Sequence, residues 1–251
     1  ELTARVAAYY VERLGSSARA NEYLVKRGLT PESLARFSIG YAPDSWSDVL
    51  KRFGGSEPAR KALHDAGLII EREGGALRDG ERHYDRFRDR IMFPIRDARG
   101  RVIAFGGRVI DQGEPKYLNS PETPIYRKTS VLYNLHRARD AMRKHNRAVL
   151  VEGYMDVMGV YSAGVKEVVA SCGTALTNAQ VRAIHRHADT VIVNFDPDDA
   201  GSNAAERAIP LLQDESLHVK VLTLAGGGGE GHAKLDPDEY VKQYGAEVYR
   251  A

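Results

Sequence analysis

The chain has one cysteine, one tryptophan and no apolar run of membrane-spanning length in its 251 residues. Cys172 alone cannot close an internal disulfide, and one thiol cannot build a cysteine-rich zinc site. No cleavable apolar leader is read at the N-terminus, so the expectation is a protein of a reducing, cytoplasmic compartment without membrane contact. An excess of one charge is also lacking. Thirty-six Lys and Arg face 34 Asp and Glu, a net charge of +2, and so small a value does not by itself call for a polyanionic partner. The eight histidines show no metal-ligand spacing, and the glycine run at 226–229 lacks the Lys and Ser or Thr of a phosphate-binding loop, which leaves it as a hinge or surface insertion. What the chain does have is 43% hydrophobic residues, enough to bury a substantial core in one large or two small domains.

Periodicity divides the chain into three stretches. Through about residue 70, ELTARVAAYYVERLG, SARANEYLVKRG, TPESLARF, PDSWSDVLKRF and EPARKALHDAG read as short helices, with Gly15 and Gly28 as C-caps and Thr30 before Pro31 as a helix start. RIMFPI and GRVIAFGGRVI then read as strands joined at the DARG turn. From Arg147 the pattern becomes RAVLVE as strand, YMDVMGVYSAG as a helix ended by Gly164, KEVVAS and DTVIVNFD as strands, ALTNAQVRAIHRHA and GSNAAERAIPLLQ as helices, and LHVKVLTL as a last strand. Apolar strands alternating with helices predict an α/β domain with a mostly parallel sheet, whose ligands gather at the carboxyl ends of the strands.

Carboxylates collect after those strands. Glu152 and Asp156, then Asp196, Asp198 and Asp199, then Asp236, Asp238 and Glu239 form three clusters. Each cluster taken singly also reads as a helix cap or a solvated turn. Three together repel one another unless cations intervene, and oxygen ligands without Cys or organised His suit magnesium or manganese. The near-neutral total hides a basic stretch: residues 82–128 hold eleven Lys and Arg against six Asp and Glu. Arg86, Arg88, Arg90, Arg108, Lys116, Arg127 and Lys128 suit a phosphate backbone, with Tyr84, Tyr117 or Tyr126 to stack on a base; the alternative is an ordinary solvated surface. Cys172 reads as a small core residue.

RFRDRIMFPIRDARGRVIAFGGR, PKYLNSPETPIYRKTSVLYNL and VEGYMDVMGV resemble the RNA polymerase core of bacterial replicative (DnaG-type) primases, and the acidic part is similar to the Toprim domain. The resemblance runs from the first helices almost to Ala251. It implies an α/β fold in which a mixed α+β basic lobe, residues 1–145, precedes a Toprim catalytic domain, residues 146–251, with a central mostly parallel sheet and flanking helices. It implies RNA primer synthesis on a single-stranded DNA template from ribonucleoside triphosphates, with two or more Mg2+ or Mn2+ ions and no zinc in this stretch. Contact with a replicative helicase would come through a domain absent here, as would zinc-binding and helical domains. By motif position, Glu152, Asp156, Asp196 and Asp198 are the catalytic set, and Glu152, Asp196, Asp198, Asp236 and Asp238 the metal set. Arg86, Arg88, Arg90, Arg108, Lys116, Asn119 and Lys128 contact nucleic acid or nucleotide. DPDDAG in place of DGD followed by an arbitrary residue and AG, Ala104 in place of glycine, and the long AGGGGEGHAK stretch depart from the pattern. Two other functions fit the same residues: a Toprim-type nuclease or topoisomerase, or a non-catalytic nucleic-acid or nucleotide-binding module. Whether Glu152 binds metal or moves a proton is left open.

Overall fold

The computed structural model describes residues 1–72, 82–111, 113–173, 175–196, 198–224 and 235–250. Pro197 and the whole of AGGGGEGHAK, with the glycine run at 226–229, lie outside these. The chain forms two compact units, one of Glu1–Arg96 with Arg101–Arg127, the other of Asp97–Gly100 with Lys128–Ala251.

The first unit wraps short helices around an antiparallel sheet. Its helices are α1 (Leu2–Gly15), α2 (Ala18–Lys26), α3 (Pro31–Phe37), α4 (Asp48–Phe53) and α5 (Glu57–Asp65); its strands are β1 (Gly40–Ala42), β2 (Ile69–Glu71), β3 (His83–Asp85), β4 (Arg90–Arg96), β5 (Val102–Val109) and β6 (Tyr117–Asn119). Strands β4 and β5 pair across the DARG turn in a sheet of order β1-β4-β5-β6, while β2 pairs with β3. Helix α1 lies against β1, and a Cβ on Gly40 would stand 2.5 Å from Tyr10 Cβ, so only glycine permits that approach. Tyr10, Phe87, Met92 and Phe105 fill the space beneath, Tyr10 edge-on to Phe105 at 5.6 Å. Each such buried side chain contributes about 1.5–3 kcal/mol of transfer free energy. Gly28 ends α2 with φ at 78° and a Leu29 N–H bond back to Leu24 O, as expected. Gly15 does not cap α1, which closes instead through the Ser16 N–H.

The second unit begins with a 3-10 turn, Lys128–Ser130, and continues through α6 (Leu135–His145), β7 (Arg147–Val151), α7 (Tyr154–Ser162), β8 (Val168–Ala170), α8 (Asn178–His185), β9 (Thr190–Val193), α9 (Asp199–Asp214), β10 (His218–Val221) and α10 (Pro237–Arg250), the last broken at Gly245. All strand pairs are parallel, in the order β10-β9-β7-β8. Ala148, Leu150, Val169, Val191 and Val193 are fully buried in the sheet, which explains the unbroken apolar runs. From β7 the chain adds β8 on one side and then β9 on the other. That reversal makes a crevice at the carboxyl ends of β7 and β9, the place where doubly wound sheets take their ligands.

Candidate metal centre and nucleic-acid surface

Glu152 follows β7 directly, and Gly153 starts α7. The Gly153 N–H donates to Asp156 Oδ2 at 3.0 Å, so the first turn of α7 folds the Asp156 carboxylate back toward the strand end. From the neighbouring strand, the Asp196 N–H donates to Glu152 Oε1 at 3.0 Å, which ties the two carboxyl-terminal strand ends together. Helix α9 then packs its first turn onto this junction. Asp198 caps it by accepting the Gly201 N–H at 2.7 Å, and a Cβ on Gly201 would fall 2.1 Å from Asp196 O and 2.6 Å from Glu152 Oε1. A similar close approach at Gly159, where a Cβ would stand 3.0 Å from Asp238, seats the start of α10 against α7. Asp236 caps α10 by accepting the Glu239 N–H at 2.9 Å.

These local constraints bring Asp156, Asp196 and Asp236 together, with one oxygen from each lying within 4.8 Å of the other two. Asp156 is only 8% exposed. Burial, then the charges of Asp196, Asp236 and Asp238, pushes its pKa up to about 8. Burial also raises Glu152, opposed by the Asp196 N–H and reinforced by Asp198. A proton or a cation therefore has to relieve this cluster, and its all-oxygen donors fit a hard divalent ion. Asp238 is buried on α10 beside the trio, whereas Asp198 is exposed and engaged as a cap. Cys172 is a buried thiol raised by that burial, as a core residue should be.

The basic residues of the first unit sort by environment. Arg88 lies over the Trp46 ring at 4.1 Å and the Tyr84 ring at 5.4 Å, and Trp46 is 55% exposed. Arg108 donates to Tyr117 Oη at 2.5 Å and sits over the Tyr117 and Tyr23 rings. Lys116 is exposed. Arg86 is half-buried and donates to the Asn119 carbonyl at 3.0 Å, so Arg86 and Asn119 form one pair across the sheet edge. Two expectations need correction. Arg90 is 6% exposed and donates to the carbonyls of Gly107 and Pro115, which makes it a strut of the sheet rather than a surface cation. Tyr126 is buried and offers no face for stacking. Trp46 was not among the expected residues, although a lone tryptophan in the polar stretch PDSWSD was a usable signal. Lys128, in the second unit, has its carbonyl held by Gln180 Nε2 at 3.1 Å.

Residues 9–139 match the family model described as DNA primase catalytic core, N-terminal domain. The chain belongs to this primase family. Residues 149–241 match the model described as Toprim-like, over the parallel sheet and its acidic cluster. Curated DNA primases of Halalkalibacterium halodurans and Escherichia coli K12 are 46% and 44% identical over 91% and 92% of this chain. The chain spans only 36% and 38% of those primases. A solved DNA primase domain from Pseudomonas aeruginosa is similar at 41% identity, with a TM-score of 0.88 over 99% of this chain and 76% of that one. A DnaG primase catalytic domain bound to ssDNA is similar at 40% identity, with a TM-score of 0.83 over 99% of this chain and 75% of that one. Primase membership, the α/β fold and the Toprim-like sheet all agree with the reading of the sequence. No helix among the described residues is long and apolar enough to cross a membrane.

Proposed function

We propose that this chain synthesises RNA primers on single-stranded DNA by metal-dependent nucleotidyl transfer from ribonucleoside triphosphates. The observation that carries the reading is the convergence of Asp156, Asp196 and Asp236 at the switch point of a Toprim-like sheet in a member of the primase family. Asp156, Asp196 and Asp236 would hold Mg2+ or Mn2+, two or more ions during turnover, with Asp238 and Asp198 completing the oxygen set. Such ions supply neutralisation of the triphosphate and easier ionisation of the 3′-hydroxyl. Glu152, fixed by the Asp196 N–H and raised by burial, stands ready to take the 3′-hydroxyl proton as the 3′-oxygen bonds to the α-phosphorus and pyrophosphate departs.

In the first unit, Arg88, Arg108 and Lys116 would track phosphates while Trp46 and Tyr84 stack on bases, consistent with the ssDNA held by the similar DnaG catalytic domain. Arg86, Asn119 and Lys128 would contact template or nucleotide. The setting is the cytoplasmic replication fork, with the replicative helicase as a further partner. Incubating the chain with single-stranded template, labelled NTPs and magnesium or manganese is expected to give short RNA ladders that Asp196→Asn and Glu152→Gln abolish. Shortened template without RNA would replace this reading with a nuclease.

A further inference from the structure

A second feature shares Glu152. Beside the acidic trio, beyond the carboxyl ends of β7, β8 and β9, a cleft of about 300 Å3 is lined by Glu152, Ser171, Leu176, Phe195, Ala204 and Arg207 among others. Its walls are mostly apolar. Leu176 and Phe195 supply its larger apolar side chains, and the small side chain of Ala204 on α9 takes up little of the volume. Its polar side chains are Glu152 and Ser171, from the loops after β7 and β8, and Arg207 on α9. The volume suits a nucleobase with its sugar, at the lower end of ordinary small-molecule sites.

We propose that this cleft seats the 3′-terminal nucleoside of the RNA being extended, its base between Phe195 and Leu176 and its sugar toward Glu152. The inference rests on the nucleotidyl-transfer reading and adds to it which substrate lies on this side of Glu152. Charge decides between the two candidates. Arg207 is the one cation among the described lining residues. One cation matches the single phosphodiester that joins a terminal nucleoside to its chain. The several charges of a triphosphate are matched by the divalent ions that the acidic trio would hold, which leaves this cleft and its one arginine to the nucleoside end. The described lining is more apolar than polar, which favours stacking over reading of a base edge and suits any of the four bases, as a growing RNA end requires.

The test uses the full chain on a single-stranded template with an RNA dinucleotide bearing 4-thiouridine at its 3′ end. After irradiation, the adduct is mapped by mass spectrometry, and extension kinetics are measured separately for dinucleotide and NTP. The proposal expects adducts on the peptides containing Leu176 or Phe195. Ala204→Trp, which fills the cleft, is expected to raise the dinucleotide KM about tenfold, the loss of one stacked base, with the NTP KM unchanged. Arg207→Glu provides a second arm should Ala204→Trp misfold, and is expected to weaken the dinucleotide by a similar factor. Adducts mapping elsewhere, or a rise confined to the NTP KM, would overturn the assignment. Extension without adducts in the cleft rejects the cleft and leaves nucleotidyl transfer standing. Adducts in the cleft without any extension reject nucleotidyl transfer and leave an RNA-end site.

Discussion

Asp156 carries the largest electrostatic burden at the centre, since it is the most buried of three carboxylates whose oxygens crowd within 4.8 Å. With its pKa at about 8, metal-free Asp156 is held mostly protonated at pH 7 at a cost the unfolded chain does not bear; Asn keeps the shape without that cost, so the metal-free variant should melt above the parent. Added Mg2+ or Mn2+ should raise the parent's Tm and leave Asp156→Asn nearly unmoved, because only the parent gains binding energy in the folded state. Thermal melts in chelator and in excess metal read both effects. Glu167 is the opposite case. It is 1% exposed, and burial alone would raise it, but Arg147 Nε at 2.8 Å and His145 Nδ1 at 3.1 Å outweigh burial and hold it below its usual 4.5. An acid depressed in the folded state stabilises fully above its unfolded pKa and loses that contribution as pH falls through the folded value. Urea titrations should therefore show the parent weakening below about pH 4.5 more steeply than Glu167→Gln, which should already be about 1–3 kcal/mol weaker at pH 7.

Elements differ in how plainly the sequence announces them. Strands β4, β5, β7 and β9 were legible because buried parallel or central strands need apolar runs, and α7, α8 and α9 because their caps and spacing agree. Strands β1, β2, β3 and β6 have three residues each, too few for any period, and depend on partners such as Met92 opposite Gly40. Helix α10 was hidden because DPDE served as both a turn signal and a ligand signal, while its helical character rests on packing at Gly159. The acidic clusters were legible as clusters. Which oxygens converge was not, because that depends on the order β10-β9-β7-β8 and on glycines whose role is to let backbones meet. A distant cap was equally invisible: Ser47 precedes α4 without capping it, and Asp85, on β3, accepts the N–H groups of Val49 and Leu50 at 2.7 and 2.9 Å. Burial pushes the Asp85 pKa up to about 6, so it is ionised at pH 7. Asp85→Ala should cost about 2–3 kcal/mol in denaturant unfolding, the sum of two lost charge-assisted bonds less relaxation. The loop carrying Trp46, whose carbonyl accepts the Asp85 N–H, should loosen with it.

Across the whole molecule, a net charge of +2 conceals a division of labour: the basic stretch falls almost wholly in the first unit and the acidic trio in the second. The two kinds of contact proposed for single-stranded DNA should then separate by salt. Lys116→Ala should weaken binding and flatten the slope of log affinity against log salt by about one phosphate's worth. Trp46→Ala should weaken it by about 1–3 kcal/mol with the slope unchanged, since stacking releases no counterion. Anisotropy of a labelled oligonucleotide at several salt concentrations distinguishes them. The chain's place in the primase family was legible because long motifs carried it. The surface was less so, since Arg90 lies within a basic motif and yet serves the sheet.

The three acidic residues that converge arise at numbers 156, 196 and 236, each forty residues after the last. During synthesis at roughly 5–20 residues per second, the first two exist for some seconds before the third is made. In that interval β7, β8 and β9 can already pair around a half-assembled acidic pair. The proposed divalent-ion site is thus complete only when α10 arrives, so the order of translation itself would delay the moment at which such chemistry is armed.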